Sequence, residues 1–166
     1  MFLDLIVVSI LLALALRKNP FDFMRWKFRY LYIFPVPLVL QILAFKFRGL
    51  ANPLNIISYF VILFLMATNI HLPGLGYMFI GSLLNALALI LNGGKMPVLR
   101  VLANSIGIYE VDPKHIFVDC VNLKTMLGDI MVLTFPWKRS FLVSIGDLVI
   151  GFGIIILFLS SRREER

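Results

Sequence analysis

The residues with the greatest chemical potential in this 166-residue chain fall in its second half. Two Gly-Asp pairs, Gly128-Asp129 and Gly146-Asp147, set carboxylates beside unhindered backbone. Asp147 stands near the start of an apolar run, with Ser144 and Gly151 on the same helical face. An ionisable group inside a membrane span costs about 2.5–3.5 kcal/mol on insertion scales, so it needs a partner or a cavity. Read as chemistry, Asp147 handles a proton, a cation or a headgroup. Read as structure, it caps a helix at an interface. Ser82, Asn85 and Asn92 make a polar face on the preceding apolar run, next to the small residues Gly74, Gly81 and Ala88 that allow a neighbour to approach. Hydrogen bonding between helices, with no ligand, explains that face equally well. Gln41 and Asn69 are candidates to extend the same network.

The most specific string is Asn92-Gly93-Gly94-Lys95-Met96-Pro97-Val98. Two glycines and a cation ahead of a helix start would cradle a phosphate through backbone N–H groups and Lys95. A helix C-cap followed by a tight turn needs the same residues, and on physical grounds alone it is the stronger reading. The candidate ligand-binding set is therefore Asn85, Asn92, Gly93, Gly94, Lys95, Asp129, Ser144 and Asp147. The expectation is that Asp129 and Asp147 share one polar site with Asn85, Asn92 and the Gly93-Gly94 backbone.

Enzyme signatures are missing. There is no Walker-type phosphate loop, no dinucleotide glycine fingerprint, no nucleophile-elbow serine and no HExxH. His71, His115 and Cys120 are too few and too scattered for a metal site, so neither a metal nor a cofactor is expected. A single cysteine forms no intrachain disulfide.

Such groups must be positioned by an unusually apolar chain. Hydrophobic residues make up 60% and charged residues 15%, against about 45–50% and about 25% in soluble domains. That composition excludes an ordinary soluble enzyme, a disordered regulator and a nucleic-acid-binding domain. The net charge of +7 belongs to basic residues at the ends of apolar runs. Those runs predict an all-α integral membrane protein, a single membrane domain over 1–166 with about five spans, at about 2–16, 30–45, 54–70, 75–91 and 141–159. The first run lacks the leading positive charge of a signal peptide. Pro35 and Pro37 should interrupt the second, and Asn52-Pro53 should open the third.

Residues 92–140 hold most of the internal polar groups and read as a structured outer segment. It would contain an amphipathic helix over 97–106, an extended piece at 116–121 and a re-entrant or interfacial piece at 127–135. Five Lys/Arg in 17–29 and three in 160–166 predict a cytoplasmic location for both segments, with the N-terminus and 92–140 outside.

The string NGGKMPV after a hairpin, then Gly128-Asp129, then a final run opening on Ser144, Gly146 and Asp147, resembles a family of small bacterial integral membrane proteins, domain of unknown function 5317. The resemblance covers roughly 75–155 and includes Asn92, Gly93, Gly94, Met96 and Pro97. It implies the architecture, the bacterial inner membrane and a candidate site, but no reaction. The leading functional expectation is non-enzymatic: binding of a partner protein or an anionic lipid headgroup at the outer face. Membrane lipids are the expected partners, with a membrane protein or a second copy also open. Two alternatives stand beside it: an ion-coupled transporter using Asp147, and a membrane enzyme acting on a lipid or polyprenyl phosphate through Asp129 and Asp147.

Overall fold

The structure is a computed structural model and describes residues 1–160, apart from the side chain of Arg48. The basic tail expected to be cytoplasmic therefore lies outside the described residues from position 161 onward. In chain order the elements are α1 (Phe2–Ala15), α2 (Pro35–Lys46), α3 (Ala51–Thr68), α4 (Leu75–Leu91), β1 (Met96–Leu99), α5 (Arg100–Ser105), β2 (His115–Val118), β3 (Met131–Thr134), β4 (Ser140–Val143) and α6 (Ile145–Leu159). Two short 3₁₀ turns, Asp22–Arg25 and Leu31–Ile33, link α1 to α2.

This overturns the all-α, five-span expectation. Segment 92–144 carries two small sheets: β1 pairs in parallel with β2, and β3 pairs antiparallel with β4. Among the described residues only α3, at 18 residues, is long and apolar enough to cross a membrane. At about 1.5 Å of rise per residue it is about 27 Å long, whereas α1 has 14 residues and α2 has 12.

The shortening has local causes. Pro35 and Pro37 sit in the first turn of α2, where their missing N–H groups are harmless, and the helix cannot extend backwards through them. Tyr30, at φ +57, breaks the path just upstream. Residues 141–143, expected to begin the last span, instead lie in β4 and pair with β3 across a turn in which Lys138 takes φ +60. The expected re-entrant piece is thus one arm of a hairpin. The expected helix over 97–106 is reduced to α5, because Pro97 and Val98 lie in the extended β1.

The five longer helices form a layer in which α4 packs on α6 and α3, α2 on α3, and α1 on α6. Glycines set the α4–α6 distance. A Cβ on Gly81 or Gly146 would collide with the other glycine's carbonyl oxygen, and Gly74 and Gly153 are related in the same way about two turns along the pair. One end of the layer is tied by Asn69. Its Oδ1 accepts from the Arg29 N–H at 2.7 Å and its Nδ2 donates to the Arg29 carbonyl at 3.0 Å. Lys18 Nζ donates to the Leu159 carbonyl at that end.

At the other end 92–144 folds over the helices as a polar cap. Buried Asp4 fastens α1 to it, accepting from Trp137 Nε1 at 2.9 Å and pairing with Arg139 at 3.1 Å. Between cap and helices lies a small apolar cluster of Ala88, Leu89 and Met96, with Tyr59 and Leu127 against it.

Candidate functional site

The N-terminus of α6 builds one wall of the site. Ser144 takes extended backbone and caps the helix: its Oγ accepts from the Asp147 N–H at 2.9 Å, and Asp147 Oδ2 accepts from the Ser144 N–H at 3.1 Å. This reciprocal pair is a capping box, which satisfies two otherwise orphaned donors. Ser144 Oγ in turn donates to Asn85 Oδ1 at 2.8 Å, and Asn85 Nδ2 donates to Asp147 Oδ1 at 2.9 Å. The network depends on Gly146, where a Cβ would occupy the place of Asn85 Oδ1. Both oxygens of Asp147 are therefore engaged, so it holds α4 and α6 together.

Asp129 is placed differently. Its N–H donates to the Pro97 carbonyl at 2.7 Å, and its carbonyl accepts from Leu99 at 3.2 Å, so its backbone bridges onto β1 beside Val98. Gly128 is required there because a Cβ would strike the Pro97 carbonyl. The result is an aspartate only 7% exposed. Oδ2 lies 3.6 Å from His115 Nε2, while Oδ1 is buried without a hydrogen-bond partner. His115 Nδ1 lies 2.7 Å from Asp112 Oδ1. Burial, reinforced by the negative charges of Asp147 and Asp112, pushes the Asp129 carboxyl up to about 8.

Asp129, Asp147 and Asn85 line one cavity of about 280 Å³ beneath the cap, together with Gln41, Asn55, Tyr59, Lys114, His115 and the apolar Leu89, Met96 and Leu142. Asn55 is 3% exposed and its Nδ2 has no partner. Gln41 Nε2 donates to Ser58 Oγ at 3.1 Å, and Lys114 Nζ donates to Gln41 Oε1 at 3.4 Å. Beyond His115 and Asp129 a second cavity of about 410 Å³ opens against Val98, Glu110, Asp112 and Phe141.

The remaining sequence candidates lie elsewhere. Asn92 Nδ2 donates to the carbonyls of Ala88 at 2.7 Å and Lys124 at 2.8 Å, tying the end of α4 to the cap. Gly93 and Gly94 take φ +66 and +84, and the Gly94 N–H donates back to Leu89 at 2.7 Å. That is a Schellman-type helix closure. A strand follows it, so no helix N-terminus faces the loop. Lys95 lines an outer recess with Asn52 and Glu110. The eight candidates thus divide into a cavity group (Asn85, Asp129, Asp147, with Ser144 behind them) and a turn group (Asn92, Gly93, Gly94, Lys95). Asn69 is at the opposite end of the layer, whereas Gln41 reaches the cavity.

Sequence reasoning missed Asn55, Tyr59 and Lys114. Asn55 and Tyr59 are four apart on α3, and with Ser58 they form a polar stripe that the strong apolar character of that run obscures. The sequence sets His115 beside His71 and Cys120 as candidate ligands, but Cys120 is exposed and the imidazole instead meets Asp112 and Asp129.

Comparison with known sequences places these residues in a wider set. The profile of the Family of unknown function (DUF5317) matches residues 25–159, which takes in every cavity group named above. An uncharacterized protein of Thermotoga maritima is 34% identical over 166 residues, covering 99% of this chain and 94% of that protein. No solved structure matches the chain.

Proposed function

We propose that this chain, which belongs to the Family of unknown function (DUF5317), is a non-enzymatic binding protein seated in the bacterial inner membrane, taking a lipid headgroup into the cavity beneath its cap. The observation that carries the reading is that cavity: about 280 Å³ of mixed polar lining at the junction of the apolar helices and the polar cap. The helices present large side chains outward all along the layer. Leu3 is 77% exposed, Leu38 64%, Phe60 59% and Phe152 51%. Monomers in water rarely show contiguous apolar patches above a few hundred Å², and lipid is the solvent such a surface suits. Lipid chains against that surface bring their headgroups to the level of the cavity.

The end opposite the cap carries Arg17, Lys18, Arg25, Lys27 and Arg29 in one short connection, which supports a cytoplasmic location for that end and an outward-facing cap. The engagement of both Asp147 oxygens favours binding over ion coupling through that residue.

The test is occlusion. In a Cys120→Ser background, Leu142→Cys puts a single thiol on the cavity wall. Native mass spectrometry of the purified chain is expected to show retained lipid that disappears when the thiol carries a bulky maleimide. Retention unchanged by the maleimide would place any bound lipid outside the cavity and refute the reading.

A further inference from the structure

We propose that the headgroup taken by this cavity bears a primary ammonium group, which docks on Asp129, and an oxyanion next to it that faces Asn55 and Lys114. The proposal rests on the headgroup reading above and names the chemistry of the ligand. Two buried polar atoms on the cavity wall have no hydrogen-bond partner in the protein: Asp129 Oδ1, an acceptor, and Asn55 Nδ2, a donor. Their residues are 7% and 3% exposed. Buried polar groups are ordinarily paired, and each left unpaired is costly. A ligand completing this wall supplies a donor to the first and an acceptor to the second.

Charge decides the kind of donor. The titratable groups on the two cavities that Asp129 lines are Asp147 from α6, Glu110, Asp112 and Lys114 ahead of β2, His115 within it, Tyr59 from α3, and the Met1 ammonium, which pairs with Asp4. Once Asp129 ionises, a neutral hydroxyl would leave the repulsion among the carboxylates of Asp112, Asp129 and Asp147 in place. An ammonium offsets it and makes a charge-assisted hydrogen bond. A quaternary ammonium has no N–H for Oδ1, whereas a primary ammonium offers three. Lys114 contacts only the neutral Gln41 through its ammonium and makes no salt bridge among the described residues, which leaves its charge for the anion. A primary ammonium two carbons from a phosphate, as in an ethanolamine headgroup or in free phosphoethanolamine, meets all three demands.

Docking the amine requires Asp129 to be ionised, and its carboxyl titrates at about 8. An alkylammonium, with a pKa of about 10, keeps its charge through that range. Binding should therefore tighten about tenfold per unit as pH rises from 6 towards 8, with a proton released from Asp129.

The experiment titrates the full chain in detergent micelles with dihexanoyl phosphatidylethanolamine, dihexanoyl phosphatidylcholine, dihexanoyl phosphatidylglycerol and free phosphoethanolamine, by calorimetry at pH 6, 7 and 8. The expected result is preference for the ethanolamine lipid, tightening with pH, and weakening of about tenfold or more in Asp129→Asn. Lys114→Met, a half-buried surface change, should weaken it less and leave the pH dependence intact. Equal binding of the choline or glycerol lipids, or no pH dependence in the native chain, overturns the ammonium assignment and leaves the headgroup reading standing. Binding of free phosphoethanolamine without the ethanolamine lipid keeps the ammonium assignment and overturns the headgroup reading. If none of the four binds, both fall.

Discussion

Replacing Gly146 by alanine perturbs the site at its tightest point. The added Cβ would overlap Asn85 Oδ1 and the Gly81 carbonyl, so α4 and α6 must separate or Asn85 must turn away. Overpacking of this kind costs about 1–3 kcal/mol. Turning Asn85 breaks its bonds to Ser144 and Asp147, each contributing about 1 kcal/mol. Alanine's better helix propensity returns about 1 kcal/mol. The net loss is about 2–4 kcal/mol, which lowers Tm by about 10 °C in a chain of this size. Thermal unfolding followed by circular dichroism measures it, with Gly49→Ala as the control. No atom lies within 4 Å of a Cβ on Gly49, and its φ is outside the left-handed region, so that variant should stay within about 0.5 kcal/mol of the parent. Equal melting of the two variants would refute the close approach of α4 and α6, and with it the geometry of the cavity wall.

Asp129 should make stability pH-dependent. Its carboxyl moves from the ordinary 3.8 to about 8 on folding, so between those values the folded chain holds a proton that the unfolded chain has lost. Stability is then full below about pH 4 and declines as pH rises to about 8, by an amount of the order of 5 kcal/mol at the limit. Denaturant midpoints of Asp129→Asn should lack that decline, and parallel curves for variant and parent from pH 5 to 9 would sink the burial argument. At the turn after α4, Gly94→Val should reduce folded yield, because φ is +84 and a Cβ already presses on Asn52. Lys95→Gln should leave yield and lipid retention unchanged, and selective lipid loss in that variant would return the turn to the binding site.

What was legible in the sequence follows from the range of the forces involved. The apolar runs are local signals, so α1, α3 and α4 fall close to their expected positions. Ser144 three residues before Asp147 is a local signal too, and the capping box it forms was one of the two readings open for that carboxylate. The cap is legible only in part: the extended piece expected at 116–121 overlaps β2, but the strands are four residues each and nothing local marks which of them pair. Ser140–Val143 is apolar enough to continue a helix, and only its partner Met131–Thr134 makes it a strand. The cavity is half visible for the same reason. Asn85 and Asp147 declare themselves as polar residues in apolar helices, but Lys114 and His115 arrive through the parallel pairing of β1 with β2. Nothing within a few residues of them marks the destination.

The clasp between Asp4 and the β3–β4 hairpin sets a timetable for synthesis. Asp4 is separated from Trp137 and Arg139 by 133 and 135 residues. At translation rates of about 5–20 residues per second, roughly 7 to 27 s pass between the emergence of the carboxylate and that of its partners. During that interval the first helix carries an ionisable group without its hairpin partners, and it cannot take its final place against α6, which has not yet been made. Closure of the helical layer is therefore a late event: the turn between β3 and β4 delivers the indole and guanidinium first, and α1 docks once α6 has followed. A nascent chain stalled before Trp137 should leave α1 open to capture by whatever insertase or chaperone receives it.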